Sequence, residues 1–285
     1  DVIGSTYNGN NIILMKIEPE NGPADKTVYI DCGIHAREWI SPAFCQHFVK
    51  WLLDSENYES EFPGIDSLSK NLNWHIVPVF NPDGYDYTWA RNRMWRKNRV
   101  QYGLCTGVDL NRNYAANWGG PGSSGQCTDT YRGPSVFSEL EAQAQRDYFD
   151  NWRNSTEGQN APIEMYLTFH SYGQYVIFPY GKDYTSVPAN YDELKQLSED
   201  AAMAIKSVYG SVYIYGQTTE TLYPAAGGSD DWAYEWGGDN FLSFTYELRD
   251  TGDFGFNLPE DQIQPTCEEV IRGVIVMGEH LITRD

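Results

Sequence analysis

The feature that most constrains this chain is a buried strand that runs into a histidine, a glutamate and then a helix. Residues 28–32 have the β-branched and aromatic character of a buried strand, and Gly33 permits a sharp turn after it. His35 and Glu38 follow, and an imidazole nitrogen and a carboxylate oxygen at this spacing can bind one zinc ion. Because two ligands do not make a site, the pattern requires a third ligand elsewhere.

A candidate third ligand stands at the end of another predicted strand. Residues 165–169 form an apolar run, and His170 follows directly. Open α/β sheets place their ligand sites at the carboxyl ends of strands, and catalytic zinc usually takes three protein ligands plus a water molecule. By itself, the H-x-x-E pair is more often an ordinary polar turn. Together with His170 it predicts a zinc site.

Length and charge limit the classes of function. The 285 residues, 41% of them hydrophobic, suit a single α/β domain over residues 1–285, because no linker or repeat divides them. We also expect no membrane helix, which would need an apolar run of about 20 residues. The formal charge of −20 argues against nucleic acid and anionic membranes as partners and favours cationic substrates.

The cysteines indicate an oxidising compartment. Five cysteines fall into two local pairs and a leftover, without a C-x-x-C motif. A glycosylation sequon at residues 154–156 agrees with secretion, although such triplets often arise by chance. The chain shows no signal peptide and does not begin with Met, so we expect it to be a processed or truncated form of a secreted protein.

The rest of the chain reads as alternating strands and helices. Asn8-Gly9 predicts the turn of a hairpin over residues 2–17. Ser41 is expected to cap a helix through residue 52, and Ser138, with Glu141, a helix over residues 138–152. The other predicted elements are a strand over 72–80 with a turn at 81–84, helices over 190–209 and 263–281, a short helix capped by Ser229, Asp230 or Asp231, and a strand over 241–246.

A cluster of cations in residues 87–99 has two interpretations from the residues alone. Arg91, Arg93, Arg96, Lys97 and Arg99 lie in this segment of an otherwise acidic chain. They either balance nearby acids or form a guanidinium clamp for a carboxylate, which arginine binds with two parallel hydrogen bonds.

Two acidic residues likewise have both a structural and a functional interpretation. Glu247 follows the predicted strand over 241–246 and either pairs with Arg249 or is catalytic. Because one cap is enough for the short helix after Gly228, one neighbouring acid is spare, and we expect it to be Asp230.

A series of motifs along nearly the whole chain carries a resemblance. They are His35-Ala-Arg-Glu-Trp, Asn81-Pro-Asp-Gly-Tyr, Arg93-Met-Trp-Arg-Lys, Asp109-Leu-Asn-Arg-Asn, His170-Ser-Tyr and Tyr246-Glu-Leu-Arg-Asp. In order and spacing the chain resembles the zinc metallocarboxypeptidases of the pancreatic, digestive type. The resemblance implies an α/β fold with a mixed, largely eight-stranded sheet between helices. It also implies that a helix, a strand and an inhibitory pro-domain are missing before Val2.

The resemblance further implies an exopeptidase that removes the last residue of a peptide. His35, Glu38 and His170 would bind one zinc ion. Zinc activates a water molecule, Glu247 would act as general base, and Arg96 would stabilise the oxyanion. The residues implied to hold the substrate's terminal carboxylate are Asn111, Arg112 and Tyr223, and those implied to line neighbouring subsites are Arg37, Arg93, Tyr172 and Phe256.

Substrate preference follows from one position. The segment from Gly227 to Trp232 resembles the carboxypeptidase B branch, in which Asp230 would lie at the base of the side-chain pocket and select Lys or Arg; the A branch has an apolar residue there. The resemblance also implies disulfides Cys32–Cys45 and Cys105–Cys127 with Cys267 free, a monomer in the digestive lumen, and proteinaceous carboxypeptidase inhibitors as partners.

Three alternatives stay open at this point. The first is a carboxypeptidase A-like preference for apolar residues. The second is a zinc deacylase of N-acyl amino acids, which would be expected to lack Arg112 and Tyr223 in this arrangement. The third is an inactive homologue that serves as a binding module, against which the intact Glu247 and Arg96 argue.

Overall fold

Strands and helices alternate along the chain in the structure, a computed structural model that describes residues 1–284. The strands are β1 (Val2–Ser5), β2 (Asn11–Ile13), β3 (Met15–Ile17), β4 (Thr27–Cys32), β5 (Asn73–Val77), β6 (Gln101–Tyr102), β7 (Cys105–Thr106), β8 (Ile163–Ser171), β9 (Tyr175–Phe178), β10 (Ile214–Gln217) and β11 (Leu242–Leu248). The helices are α1 (Ile40–Leu53), α2 (Ser55–Tyr58), α3 (Ile65–Asn71), α4 (Pro82–Ala90), α5 (Leu140–Asn154), α6 (Thr156–Asn160), α7 (Tyr191–Tyr209), α8 (Thr218–Thr221), α9 (Ser229–Gly237) and α10 (Ile263–Thr283).

A mixed sheet lies at the centre of the fold. Within residues 1–284 it has seven strands in the order β10-β9-β11-β8-β4-β5-β3. Strands β11, β8, β4 and β5 are parallel neighbours, whereas β9 and β3 pair antiparallel with β11 and β5. The carboxyl ends of β4, β8 and β11 therefore meet at one edge, where a parallel sheet forms its ligand sites.

Helices cover both faces of this sheet. On one face Phe44 of α1 packs against Phe169 of β8, with ring centroids 4.5 Å apart. On the other face Phe149 of α5 packs against Tyr29 of β4 at 4.7 Å. Every residue of β4 and β5 is buried, as expected for strands covered on both sides. No helix in residues 1–284 is long and apolar enough to cross a membrane.

The predicted α/β fold with a mixed sheet between helices is confirmed, but the strand count differs. In the described part of the chain the main sheet has seven strands rather than eight. The strand predicted to run on from Ile12 is divided at Leu14, whose N–H donates to the Asp1 carbonyl. As a result β1 and β2 pair only with each other, and β3 alone joins the main sheet.

The predicted helix caps are wrong, because α1, α5 and α9 each have a different residue at the N-cap. Ser41 lies inside α1, where its hydroxyl donates to the Phe169 carbonyl at 2.5 Å and accepts from the Gly33 N–H at 3.0 Å. Ser138 precedes α5 and donates to the Glu139 carboxylate at 2.6 Å. Helix α9 has Gly228 at its N-cap, without a side-chain cap.

The turn predicted at residues 81–84 is the beginning of a helix. Asn81 caps α4, accepting a hydrogen bond from the Gly84 N–H at 2.9 Å, and Pro82 occupies the first helical position. The same residue types favour turns and helix starts, since both need a side-chain acceptor followed by a fixed φ angle.

Both disulfides implied by the resemblance are present. Cys32 pairs with Cys45, and Cys105 pairs with Cys127. Cys267 is free and buried. The first disulfide joins the end of β4 to α1, so it closes the loop that contains His35 and Glu38.

A buried carboxylate predicts how stability depends on pH. Desolvation by burial raises the pKa of Glu141 from 4.5 to about 7, although its Oε2 accepts from Asn98 Nδ2 at 3.3 Å. The folded state therefore binds more protons than the unfolded state between these pH values, so this group's contribution to stability falls as pH rises from 4.5 to 7. We expect Glu141→Gln to stabilise the protein at pH 8 by up to about 3 kcal/mol and much less at pH 4.5, as measured by urea unfolding.

The control for this prediction is Glu157→Gln, which changes an exposed acid on α6. Glu157→Gln should leave the difference in unfolding free energy between pH 4.5 and pH 8 the same as in the unchanged protein. Equal stabilisation by Glu141→Gln at both pH values would contradict the claim that burial of the ionised Glu141 carboxylate destabilises the protein at pH 8.

Candidate active site

The site lies at the carboxyl edge of the three central strands. His170 stands near the end of β8, and Glu247 is its direct partner in the register of β11. His35 and Glu38 lie in the turn between β4 and α1. Adjacent parallel strands thus bring together groups that are more than a hundred residues apart in sequence.

His35, Glu38 and His170 converge as a metal site requires. Their nitrogen and oxygen donor atoms all lie within 4.8 Å of one another, and all three residues are buried. His35 Nδ1 lies 2.9 Å from Glu38 Oε1, and His170 Nδ1 lies 3.0 Å from Glu38 Oε2. The two Nδ1 atoms are only 3.1 Å apart. Two imidazoles and one carboxylate in contact form a donor set that zinc prefers, so the residues fit the predicted ion.

Electrostatics favour the ionised carboxylate in this set. Burial acts to raise the pKa of Glu38, but the two imidazoles outweigh burial and lower this pKa far below its usual value. Burial lowers the pKa of His35. It acts in the same direction on His170, but the Glu38 carboxylate raises the pKa of His170 to about 9. The shifts of Glu38 and His170 reflect how closely the carboxylate is held to the imidazoles, whereas burial outweighs that contact at His35.

Asp109 is a functional residue that was not singled out from the sequence. Its Oδ1 lies 3.0 Å from His35 Nε2, and its Oδ2 accepts from Arg96 Nη2 at 2.9 Å. Asp109 is fully buried. A carboxylate on the far nitrogen of a ligating histidine fixes the ring and leaves Nδ1 as the donor. The signal was available, since Asp109 opens one of the motifs and zinc-binding histidines commonly have such an acid behind them.

Replacing Asp109 by Asn should weaken zinc binding. The substitution removes the charge that orients His35 and turns an amide N–H toward His35 or Arg96, so we expect zinc affinity to fall about 10- to 100-fold. Competition with a chromogenic chelator measures this affinity without an activity assay. Asp129→Asn is the matched control, because Asp129 also accepts from an arginine, Arg37, but is exposed. Unchanged affinity in Asp109→Asn would contradict its orienting role.

Glu247 and Arg96 flank the metal-binding residues. Desolvation raises the pKa of Glu247 to about 8, and Glu38 adds to this rise, while His170 and Arg96 oppose it. Part of Glu247 still faces the open cavity. Arg96 Nη1 lies 3.7 Å from Glu38 Oε1, so its positive charge sits beside the donor set. Glu247 does not pair with Arg249, which instead binds Glu269 through its Nε at 2.7 Å.

Arg112 and Asn111 present fixed donors to the same cavity. Arg112 is 4% exposed, and its Nε and Nη1 donate to the carbonyls of Gly122 and Asn111 at 2.9 and 2.8 Å. The other guanidinium N–H groups remain available for a ligand. Asn111 is held by its Oδ1, which accepts from the Ser229 N–H at 2.8 Å. Tyr223, by contrast, is 61% exposed at the cavity edge.

Asp230 is a buried acid without a cation. Its Oδ2 accepts from Thr245 Oγ1 at 3.1 Å, and it is 8% exposed. No Lys, Arg or His nitrogen in residues 1–284 lies within 4.0 Å of its carboxylate. The neighbouring Asp231 accepts from the Gly181 N–H at 2.9 Å, and burial raises its pKa well above the usual value. Asp230 is therefore the acid of this pair that can receive a cationic side chain.

The predicted outer residues form the rim. Arg37 stacks on Phe256, with its guanidinium carbon 4.3 Å from the ring centroid, and Tyr172 packs edge-on against Phe256 at 4.9 Å. One cavity of about 720 Å³ brings together all the predicted site residues except Arg93: His35, Arg37, Glu38, Arg96, Asn111, Arg112, His170, Tyr172, Tyr223, Asp230, Glu247 and Phe256. Arg93 lines a smaller adjoining cavity, which Phe256 also lines. The roles assigned to these side chains stay predictions.

Comparison with known families agrees with this geometry. A family model described as zinc carboxypeptidase matches residues 1–273. Carboxypeptidase B from Bos taurus is 46% identical over 283 residues, which cover 98% of this chain and 64% of that protein. Carboxypeptidase B from Rattus norvegicus is also 46% identical, over 98% of this chain and 65% of its own length. The chain thus spans less than two thirds of the length of these two relatives.

A solved structure shows the same fold. Bovine thrombin-activatable fibrinolysis inhibitor, in complex with tick carboxypeptidase inhibitor, superposes with a TM-score of 0.88 at 38% identity. The match covers 100% of this chain and 90% of that chain.

Proposed function

Because this chain belongs to the zinc carboxypeptidase family, we propose that it hydrolyses the C-terminal bond of peptides that end in Lys or Arg. The observation that carries the proposal is a single cavity in which Arg112 and Asp230 lie beside the convergent donor set of His35, Glu38 and His170. Arg112 suits the free carboxylate of a C-terminal residue, and Asp230 suits its cationic side chain. An endopeptidase cleaves within a chain, so it would not need Arg112 to bind a free C-terminal carboxylate.

One zinc ion is the proposed cofactor. His35 and His170 would bind it through Nδ1 and Glu38 through its carboxylate. When bound, zinc acts as a Lewis acid that polarises the scissile carbonyl and activates a water molecule.

The chain's own residues supply the proton transfers and the charge stabilisation. Glu247 accepts a proton from the attacking water and delivers it to the amine that leaves, so the peptide bond breaks while a new bond forms between water oxygen and carbonyl carbon. Arg96, held rigidly by Asp109, donates to the oxygen that becomes negative in the transition state.

Asp230 accounts for the preference for basic residues. A buried carboxylate costs free energy of desolvation unless a cation pairs with it, so an Arg or Lys side chain is favoured over an aromatic one. An apolar residue at this position would give the opposite preference, which characterises the carboxypeptidase A alternative.

The proposed setting is extracellular, with residues 1–285 acting as one catalytic domain. Both disulfides suit an oxidising compartment. The relative that was solved with tick carboxypeptidase inhibitor supports proteinaceous carboxypeptidase inhibitors as partners. We further propose a monomer that acts on peptide and protein C-termini.

Release of C-terminal arginine tests the proposal. The zinc-loaded chain is incubated with peptides that are identical except for C-terminal Arg, Phe or Glu, and with N-acyl amino acids. We expect Arg release that chelation abolishes and zinc restores. Faster release of Phe would favour the A-like preference, activity on acyl amino acids alone would favour a deacylase, and binding without hydrolysis would favour an inactive homologue.

A further inference from the structure

A second cavity lies at the opposite edge of the sheet from the active site. It has a volume of about 750 Å³ and lies where β8 begins and where the chain enters β11. Three aromatic side chains line it together with a cation, an acid and an amide: Trp152, Trp236, Phe241, Arg153, Glu164 and Asn240. Apolar surface with a few polar groups is typical of a ligand site. None of these six residues lines the active-site cavity, so the proposed activity gives this second cavity no role.

The glycosylation sequon of the chain adjoins this cavity. Asn154-Ser-Thr is the only N-x-S/T triplet in the sequence. It spans the junction between α5 and α6, and both Asn154 and Thr156 are exposed. Arg153, immediately before the triplet, and Gly158, shortly after it, both line the cavity. A sugar on Asn154 would therefore begin beside the cavity.

Hydrogen bonds hold the Asn154 amide next to one wall of the cavity. Its Nδ2 donates to the Asp150 carbonyl at 2.7 Å. The Asp150 carboxylate accepts from Trp236 Nε1 at 3.0 Å, so one residue joins the sequon to an aromatic wall. An N-linked sugar replaces only one of the two N–H groups of the amide, and the other can keep its bond to Asp150. The position of the amide is thus compatible with the modified form.

The lining of the cavity suits the first sugar of such a glycan, an N-acetylglucosamine. One face of the sugar ring consists of C–H groups that can pack on an aromatic ring, and its hydroxyl and acetamido groups form hydrogen bonds. The Arg153 guanidinium carbon lies 3.4 Å from the Trp236 ring centroid, and its Nη2 donates to the Trp236 carbonyl. The cation and the ring therefore form one surface, with both apolar area and N–H donors.

We propose that Asn154 carries an N-linked glycan and that its first N-acetylglucosamine binds in this cavity. A glycosyl diphosphate supplies the sugar: the bond from its anomeric carbon to the diphosphate oxygen breaks, a bond from that carbon to Asn154 Nδ2 forms, and Nδ2 gives up one proton. The inference rests on the proposed extracellular setting, because this donor belongs to the secretory pathway, but not on the proposed activity. At about 3.3 Å per residue, the run of β8 from Ile163 to His170 separates the glycan from the active site by about 23 Å.

Translation of the chain behind a signal sequence, in the presence of microsomes, tests the attachment. We expect the unchanged chain to gain the mass of one glycan, which a peptide N-glycosidase removes. The gain should be lost in Asn154→Gln and in Thr156→Ala and retained in Thr156→Ser. Asn160→Gln is the matched control, because Asn160 is an exposed asparagine on α6 outside any sequon. No gain in the unchanged chain, or a gain that persists in Asn154→Gln, would overturn the site.

A stability measurement tests where the first sugar lies. The secreted chain is trimmed with an endoglycosidase that leaves one N-acetylglucosamine, and its Tm is compared with that of the same chain refolded oxidatively from bacteria, which attach no glycan. We expect the trimmed chain to melt about 2–4 °C higher, the effect of one aromatic contact in a domain of this size. Equal Tm values would overturn binding of the sugar in the cavity.

Two tryptophan variants locate that contact. The gain in Tm should vanish in Trp236→Leu and persist in Trp89→Leu, which replaces an exposed tryptophan on α4 that does not line the cavity. A gain that persists in Trp236→Leu would overturn the contact with this wall. Release of C-terminal Arg should be equal with and without the glycan. Its absence from both forms would overturn the proposed activity and leave the result for Asn154 standing.

Discussion

Replacing Glu247 by Gln is expected to lower kcat for C-terminal arginine release by about 10²- to 10⁴-fold, the contribution of a positioned general base. The amide keeps the size of the side chain and its place opposite His170 in the sheet, but it cannot accept a proton at neutral pH. KM should change little, because the proposed substrate anchors, Arg112 and Asp230, are untouched. Steady-state kinetics on a peptide that ends in Arg measure both constants.

The matched control for this prediction is Glu235→Gln on α9. Glu235 is an acid that pairs with Lys182 at 2.6 Å and does not line the main cavity. It should retain full kcat, and zinc content should be equal in both variants. A Glu247→Gln protein that binds zinc and keeps its kcat would require another proton acceptor.

Replacing Asp230 by Asn should invert the substrate preference. An Arg side chain in the pocket would then be buried without its counter-ion, which costs about 3–5 kcal/mol, so kcat/KM for Arg peptides should fall about 10²- to 10⁴-fold. Release of Phe should be unchanged or faster, because an aromatic ring no longer displaces water from a buried charge. Competition between Arg and Phe peptides in one reaction measures the ratio.

Asp231→Asn provides the comparison for Asp230. Burial raises the pKa of Asp231 well above its usual value, and the amide of Asn keeps the size of this side chain. Its oxygen can still accept from the Gly181 N–H. We expect Asp231→Asn to keep the preference for Arg. If Asp231→Asn loses that preference and Asp230→Asn retains it, Asp231 rather than Asp230 selects the basic side chain.

The positions at strand ends were predictable from sequence because their surroundings are simple. His170 and Glu247 each follow an apolar run, and parallel strands bring such residues to one edge. Arg37 and Phe256 could be placed only through the resemblance, since nothing local says which way a loop side chain points.

Features governed by competition between hydrogen bonds were not predictable. Ser41 satisfies the sequence rule for a helix cap, yet its hydroxyl bonds to the β8 backbone instead. Asp109 opens one of the sequence motifs, but only the fold shows that it lies against His35. For Ser41 a partner distant in sequence outweighs the local preference, whereas Asp109 accepts from the nearby Asn111 N–H at 3.0 Å as well as lying against His35. In both cases the sequence alone does not name the distant partner.

The Cys32–Cys45 bond gives the metal-binding turn a dependence on its chemical surroundings. Its sequence separation is 13 residues. A cross-link of that span lowers the entropy of the unfolded chain and so stabilises the folded state by about 3 kcal/mol. His35 and Glu38 both lie inside the loop that this disulfide closes. Thiol reagents that reduce the disulfide would therefore remove the restraint on two predicted zinc ligands together. Preparation in a reducing cytosol should then yield protein with impaired zinc retention, whereas oxidative refolding should restore it.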